Sequence, residues 1–123
     1  MKNQEAKADA GKLRLTLVPR QIIKGIAKVR MFAVEVKYPQ TGEDGWKTIE
    51  IERIRDAAFR HFMAYLDNPK GVDAESGISH LAHACTNFAF LYEMEGLDED
   101  IQRNTESNEK RQEITFGGGN DGC

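Results

Sequence analysis

The chain has 123 residues, of which 40% are apolar and 30% charged, and its formal net charge is −3. This size leaves room for one small domain with a modest core. No run of eighteen apolar residues is present, and the residues after Met1 are polar. We therefore expect a soluble cytoplasmic protein without a membrane partner.

Positive charge is concentrated at the N-terminal end. Residues 1–38 contain nine Lys and Arg against three Asp and Glu, whereas the remainder contains eight against seventeen. Duplex nucleic acid usually binds a basic domain, and this chain is acidic overall. The charge pattern therefore favours a small phosphorylated ligand over duplex nucleic acid.

The sequence of the first third of the chain predicts a flexible arm, then an extended segment, then a helix. Residues 1–12 are polar without periodicity, which predicts a flexible basic arm. Alternating leucines at 13, 15 and 17 predict a short extended segment. From Arg20 to about Tyr38, apolar residues at helical spacing predict the first helix.

Two further helices are predicted after the Pro39 to Gly45 loop. The second runs to about Asp67, with Thr48 as its N-cap, and ends before Pro69. The third follows Ser76 as N-cap and ends at Gly96. Trp46 is expected to plug the core over a helix pair. Residues 97–103 can form a short fourth helix, and residues 104–123 are expected to be a disordered polar tail.

All three histidines fall between Ile49 and Glu95. This segment also contains several polar residues suited to a binding site. They are Asp56, Arg60, Asp73, Glu75, Ser76 and Asn87. His80, His83 and Asn87 have the i, i+3, i+7 spacing of one helix face. A more ordinary interpretation also stands, in which Asp56 and Arg60 form a surface ion pair and each histidine is structural.

Common catalytic motifs are absent. The chain has no HExxH, no GxSxG, no cysteine pair near a histidine and no complete P-loop. Zinc protease, zinc deaminase and serine hydrolase chemistry are therefore not supported.

Three segments resemble the phage domain named after the N-terminal part of dATP/dGTP diphosphohydrolases. They are KADAGKLRLTLVP, GWKTIEIERIRDAAFRHFMAYL and DAESGISHLAHACTNFAFLYEME. The resemblance implies an all-α domain loosely similar to MazG-like nucleotide pyrophosphatases. Those enzymes use Mg²⁺ to direct water at the α-phosphorus of a nucleoside triphosphate.

The metal-binding pattern of the MazG-like enzymes is largely missing. Their E-E-x-x-E and E-x-x-D carboxylates correspond here to the segments RDAAFRH, which contains Arg60 and His61, and HLAH, which contains His80 and His83. Either histidines bind a softer ion such as Mn²⁺, or the pocket binds without catalysis.

Three functions follow from the resemblance. The first is metal-assisted hydrolysis of purine deoxynucleotides with Mg²⁺ or Mn²⁺. The second is a non-catalytic sponge that sequesters a host immune nucleotide and needs no cofactor. The third is an assembly protein.

The site expected for the hydrolase has three parts. The catalytic residues are Asp56, His61 and His83. The metal ligands are Asp56, Glu75 and His83. The substrate-binding residues are Lys12, Arg14, Arg60, Ser76, His80 and Asn87.

The predicted architecture is an all-α bundle of three main helices with a short extended N-terminal segment. Residues 13–103 form the helical nucleotide-binding domain, between the arm at 1–12 and the tail at 104–123. Three helices cannot bury all the aromatic residues in one small core. We therefore expect a homo-oligomer.

Overall fold

The computed structural model describes residues 11–98. Three α-helices form the fold: α1 spans Arg20–Phe32, α2 spans Ile51–Asp67 and α3 spans His80–Met94. The prediction of a small all-α bundle with three main helices is confirmed. Most of the predicted N-terminal arm, most of the predicted fourth helix and the predicted tail lie outside the described residues.

The predicted extended segment contains a helical turn instead. Leu15–Leu17 form one turn of 3₁₀ helix, and Val18 follows with an extended backbone. Leu13, Leu15 and Leu17 are all exposed. Among residues 11–98 there is no sheet that could pair with an extended segment, so alternation alone does not hold these residues in a strand.

Helix α1 continues beyond its regular part, as its periodicity predicts. Ala33–Lys37 form a π-helical turn, and the backbone N–H of Tyr38 donates to the carbonyl of Ala33. Pro39 follows at once and disfavours further helix in the preceding residue. A 3₁₀ helix at Gly45–Thr48 then leads into α2.

Both predicted N-caps are displaced. Glu50, rather than Thr48, precedes α2, and the Thr48 hydroxyl donates to the carbonyl of Gly45 at 2.8 Å. Ser79, rather than Ser76, caps α3, with its hydroxyl accepting from two backbone N–H groups. Ser76 and Ser79 are equally good N-caps, so local sequence does not choose between them, whereas Glu50 is not a favoured N-cap and its side chain makes no capping hydrogen bond.

The end of α3 follows the prediction closely. Gly96 has a φ of +63°. Its N–H donates to the carbonyl of Glu93, and the N–H of Leu97 donates to that of Tyr92. This pair of bonds is a Schellman motif, which favours glycine because other residues are strained at positive φ.

Small residues bring the three helices close together. Ala58 of α2 is 2% exposed and Ala84 of α3 is fully buried. On the α1 side, a Cβ added to Gly25 would lie 3.3 Å from the Cβ of Ala82. Because these residues carry little or no side chain, the helix backbones approach closely. Helix α2 runs antiparallel to α3.

A group of large apolar side chains remains exposed on α2 and α3. It consists of Phe59, Met63, Leu66, Phe88 and Tyr92. Large exposed apolar patches are unusual on monomers and often mark a binding surface. Self-association remains a prediction. No helix within residues 11–98 has the length and apolar character needed to cross a membrane.

We expect Ala84→Leu to destabilise the fold by about 1–3 kcal/mol, because an enlarged side chain must displace tightly packed neighbours. Ala89→Leu, on the same helix at an exposed position, is the matched control and should change stability little. Urea denaturation of both variants measures the difference. Equal losses of stability in the two variants would show that the interface between α2 and α3 can accommodate a larger side chain.

Light scattering coupled to size exclusion tests the predicted homo-oligomer. The wild-type chain should elute with the mass of a dimer or larger, and Phe59→Glu should shift the mass toward the monomer. Met31→Glu, an exposed apolar position on α1, should leave the mass unchanged. A monomeric wild-type chain at high concentration would contradict the prediction.

Candidate functional site

The loop between α2 and α3 is held by its own backbone and by Asp73. Val72 and Ser79 form an isolated antiparallel bridge. Asp73 donates its N–H to the carbonyl of Ile78 at 2.8 Å, and its side chain accepts the N–H of Ser76 at 2.9 Å. These bonds fix Asp73 beside the first turn of α3.

The three histidines meet where this loop joins the helix pair. The Nδ1 atoms of His61 and His80 lie 3.0 Å apart. The rings of His61 and His83 stack with centroids 4.5 Å apart and an interplanar angle of 14°. The antiparallel helix pair explains this contact, because it sets the middle of α2 against the start of α3.

Ser76, His83 and Asp73 form a second polar contact. Ser76 Oγ lies 2.7 Å from His83 Nε2, and Asp73 Oδ2 lies 3.9 Å from the same nitrogen. In a serine hydrolase triad, the serine and the carboxylate contact opposite nitrogens of the imidazole. The arrangement is therefore not a triad, which agrees with the missing GxSxG motif.

Burial, hydrogen bonds and neighbouring side chains shift the pKa values of His61, His83 and Asp73. Burial, followed by the nearby His83, lowers the pKa of His61 from 6.5 to about 4. The pKa of His83 is also lowered, chiefly by burial. For Asp73, burial acts to raise the pKa, but hydrogen bonds from Ser76 and the nearby histidines outweigh it and lower the pKa. At neutral pH, His61 and His83 are neutral and Asp73 is ionised.

His61, Asp73 and His83 line an open cleft of about 810 Å³ between the helices. Aromatic rings also line it, including Tyr38 and Trp46. The indole of Trp46 stacks on Phe90 of α3 with ring centroids 4.2 Å apart, and Trp46 also borders the cleft.

Four basic side chains line the same cleft: Arg30, Lys37, Arg53 and Arg60. Arg30 donates to the backbone carbonyl of Glu43, and Lys37 Nζ lies 2.9 Å from Glu75 Oε1. Within residues 11–98, the side chains of Arg53 and Arg60 form no ion pair or hydrogen bond. Seven residues separate them, which is two helical turns, so they lie along one side of α2.

The predicted metal ligands Asp56, Glu75 and His83 do not converge. Asp56 is exposed and is not among the residues that line the cleft. It precedes His61 by five residues, which turns a helix by about 140°, so the two side chains leave α2 on different sides. Glu75 pairs with Lys37 instead.

The predicted substrate-binding residues are only partly brought together. Arg60 and Asn87 line the cleft, whereas Ser76 and His80 contact its histidines. The Asn87 amide donates to the carbonyl of His83. Lys12 and Arg14 are exposed and are not among the cleft-lining residues.

Sequence patterns assign no role to Lys37, Arg53 or Tyr38. The i, i+7 spacing of Arg53 and Arg60 on a predicted helix is the one signal that could have indicated Arg53.

This fold and cleft define a small all-α domain with a histidine, carboxylate and arginine site. Residues 2–104 match the family described as dATP/dGTP diphosphohydrolase, N-terminal, and the chain belongs to that family. The resemblance in the sequence motifs is confirmed.

One relative is the dATP/dGTP diphosphohydrolase of Salmonella phage PMBT28. It is 34% identical over 86 residues, which cover 70% of this chain and 28% of the relative. The chain therefore aligns with little more than a quarter of the relative's length. No solved structure matches the chain.

The lowered pKa of His61 predicts acid sensitivity of the metal-free fold. The unfolded state binds more protons than the folded state between pH 6.5 and about 4. Stability should therefore be highest above pH 6.5 and fall as the pH decreases through this range. With EDTA present, Tm should decrease from pH 7.5 to pH 5, and His61→Gln should reduce that dependence. Identical pH slopes for the two proteins would contradict the prediction.

Proposed function

We propose that the cleft binds the phosphates of a purine deoxynucleotide through Arg53 and Arg60. The observation that carries this proposal is that both guanidinium groups border the cleft and have no carboxylate partner among residues 11–98. Guanidinium groups bind phosphate oxygens through charge-assisted, often bidentate hydrogen bonds. Their neighbours Arg30 and Lys37 already have partners, so these two arginines are the cations most available to a ligand.

Aromatic rings in the same cleft suit the base of a nucleotide. Tyr38 and Trp46 both line it. Nucleobases stack on aromatic side chains, because each offers a flat polarisable face. Arginines on α2 and aromatic rings from the segment after α1 thus provide separate places for phosphate and base. Family membership supports a purine deoxynucleotide as the ligand.

In the hydrolytic form of this function, a water oxygen bonds to the α-phosphorus. The bond to the β-phosphate oxygen breaks, and pyrophosphate leaves with the bonding electrons. His83 lines the cleft and can take the proton that the water loses. A divalent ion supplies charge neutralisation at the phosphates when bound.

The second candidate function is nucleotide sequestration without turnover. The observation that favours it is that the described part of the chain places few carboxylates in the cleft. They are Glu50, Asp73 and Glu75, and Glu75 is already paired to Lys37. Sets of carboxylate oxygens are what Mg²⁺ prefers, and this cleft offers few. A protein of this kind would remove a signalling nucleotide by tight binding alone.

Titration calorimetry with dATP and dGTP tests nucleotide binding. Hydrogen bonds to charged groups contribute about 1.5–3 kcal/mol, so Arg53→Ala and Arg60→Ala should each weaken binding about tenfold or more. Arg20→Ala, at an exposed position on α1 outside the cleft, is the matched control and should bind like wild type. If neither nucleotide binds the wild-type chain, the proposal fails.

Chromatography of the nucleotide after incubation separates the two candidate functions. Release of monophosphate and pyrophosphate in the presence of Mn²⁺ or Mg²⁺, lost in His83→Ala, supports hydrolysis. Recovery of intact nucleotide after heat denaturation of the complex supports sequestration.

A further inference from the structure

His61, Asp73 and His80 come from three different parts of the chain and meet at one point. His61 lies in the middle of α2, Asp73 in the loop, and His80 at the first position of α3. One potential ligand atom from each lies within 4.8 Å of the others. All three side chains are partly buried. Such convergence requires both the helix packing and the ordered loop.

The spacing of the two imidazoles fits a shared ion. Two nitrogens that each lie about 2.1 Å from a metal, at right angles to each other, are separated by about 3.0 Å. The Nδ1 atoms of His61 and His80 are 3.0 Å apart. Without an ion, one of these nitrogens must carry a proton and donate it to the other.

We propose that His61 Nδ1, His80 Nδ1 and an Asp73 carboxylate oxygen bind one divalent first-row transition ion. Two imidazoles with one carboxylate leave further coordination positions open to water or substrate. Imidazole suits Co²⁺ or Zn²⁺ better than Mg²⁺, which prefers oxygen ligands. This ligand set replaces the Asp56, Glu75 and His83 set expected from the sequence.

Neighbouring groups hold two of these ligands in place. The backbone N–H of Ser76 donates to Asp73 Oδ2, and the ring of His83 stacks on that of His61. Outer-shell contacts of this kind orient metal ligands and raise affinity. His61 and Asp73 also line the cleft that contains Arg53 and Arg60. If the ion acts on the phosphates of a nucleotide, that action rests on the proposed function. Binding of the ion does not rest on it.

Metal titration of the untagged, chelator-treated full chain without nucleotide tests the site. Calorimetry should show one Co²⁺ or Zn²⁺ bound per chain, with Mg²⁺ at least tenfold weaker. His61→Gln, His80→Gln and Asp73→Asn should each weaken Co²⁺ binding at least tenfold. Asp67→Asn, at an exposed position outside the cleft, is the matched control and should bind like wild type. Tight Mg²⁺ binding, or no loss in the three variants, would overturn the proposal.

A second measurement on the wild-type chain does not depend on the folding of variants. The chain has three histidines, so nitrogen-detected NMR can follow every imidazole. Zn²⁺ should shift the Nδ1 resonances of His61 and His80 strongly. Unchanged histidine resonances at saturating Zn²⁺ would overturn the site. If the metal binds and nucleotides do not, the metal site stands while the proposed function fails.

Discussion

The close approach of α2 and α3 is the constraint on which the site depends. Ala58 and Ala84 are buried where these helices pack, and neither carries a side chain large enough to separate the backbones. Because the helices are antiparallel and close, His61 reaches His80 and His83 across the seam.

The loop after α2 adds the carboxylate to this histidine group. The β-bridge between Val72 and Ser79 joins the two ends of this loop segment. Asp73 makes hydrogen bonds through both its backbone and its side chain. Ser79 at the end of this segment also caps α3. The position of Asp73 and the start of α3 are therefore set by the same short stretch of chain.

The cleft combines positively charged arginines with neutral histidines. Arg53 and Arg60 place positive charge along α2, which favours an anionic ligand. Burial keeps His61 and His83 neutral near pH 7, so they add no further positive charge and remain able to accept protons or bind a metal. The chain belongs to the family described as dATP/dGTP diphosphohydrolase, N-terminal, and the relative from Salmonella phage PMBT28 extends well beyond the aligned part.

Local sequence alone determined the three helices and some of their ends. Apolar periodicity indicated each helix, and Pro39, Pro69 and Gly96 mark chain positions where the backbone leaves helical geometry. The concentration of histidines between Ile49 and Glu95 also indicated the region of the site. Local sequence did not determine the caps, because Ser76 and Ser79 suit the start of α3 equally well and Thr48 belongs to the 3₁₀ helix that precedes α2.

Tertiary structure decided which side chains share the cleft. The rotation of α2 about its axis directs Arg53 and His61 to the cleft and leaves Asp56 exposed outside it. The loop conformation brings in Asp73, which the sequence analysis placed in the region of the site but not among the expected metal ligands. Periodicity describes one helix at a time, whereas the face that meets a neighbour depends on packing between distant segments. For that reason the helices could be predicted from the sequence, and the set of side chains that share the cleft could not.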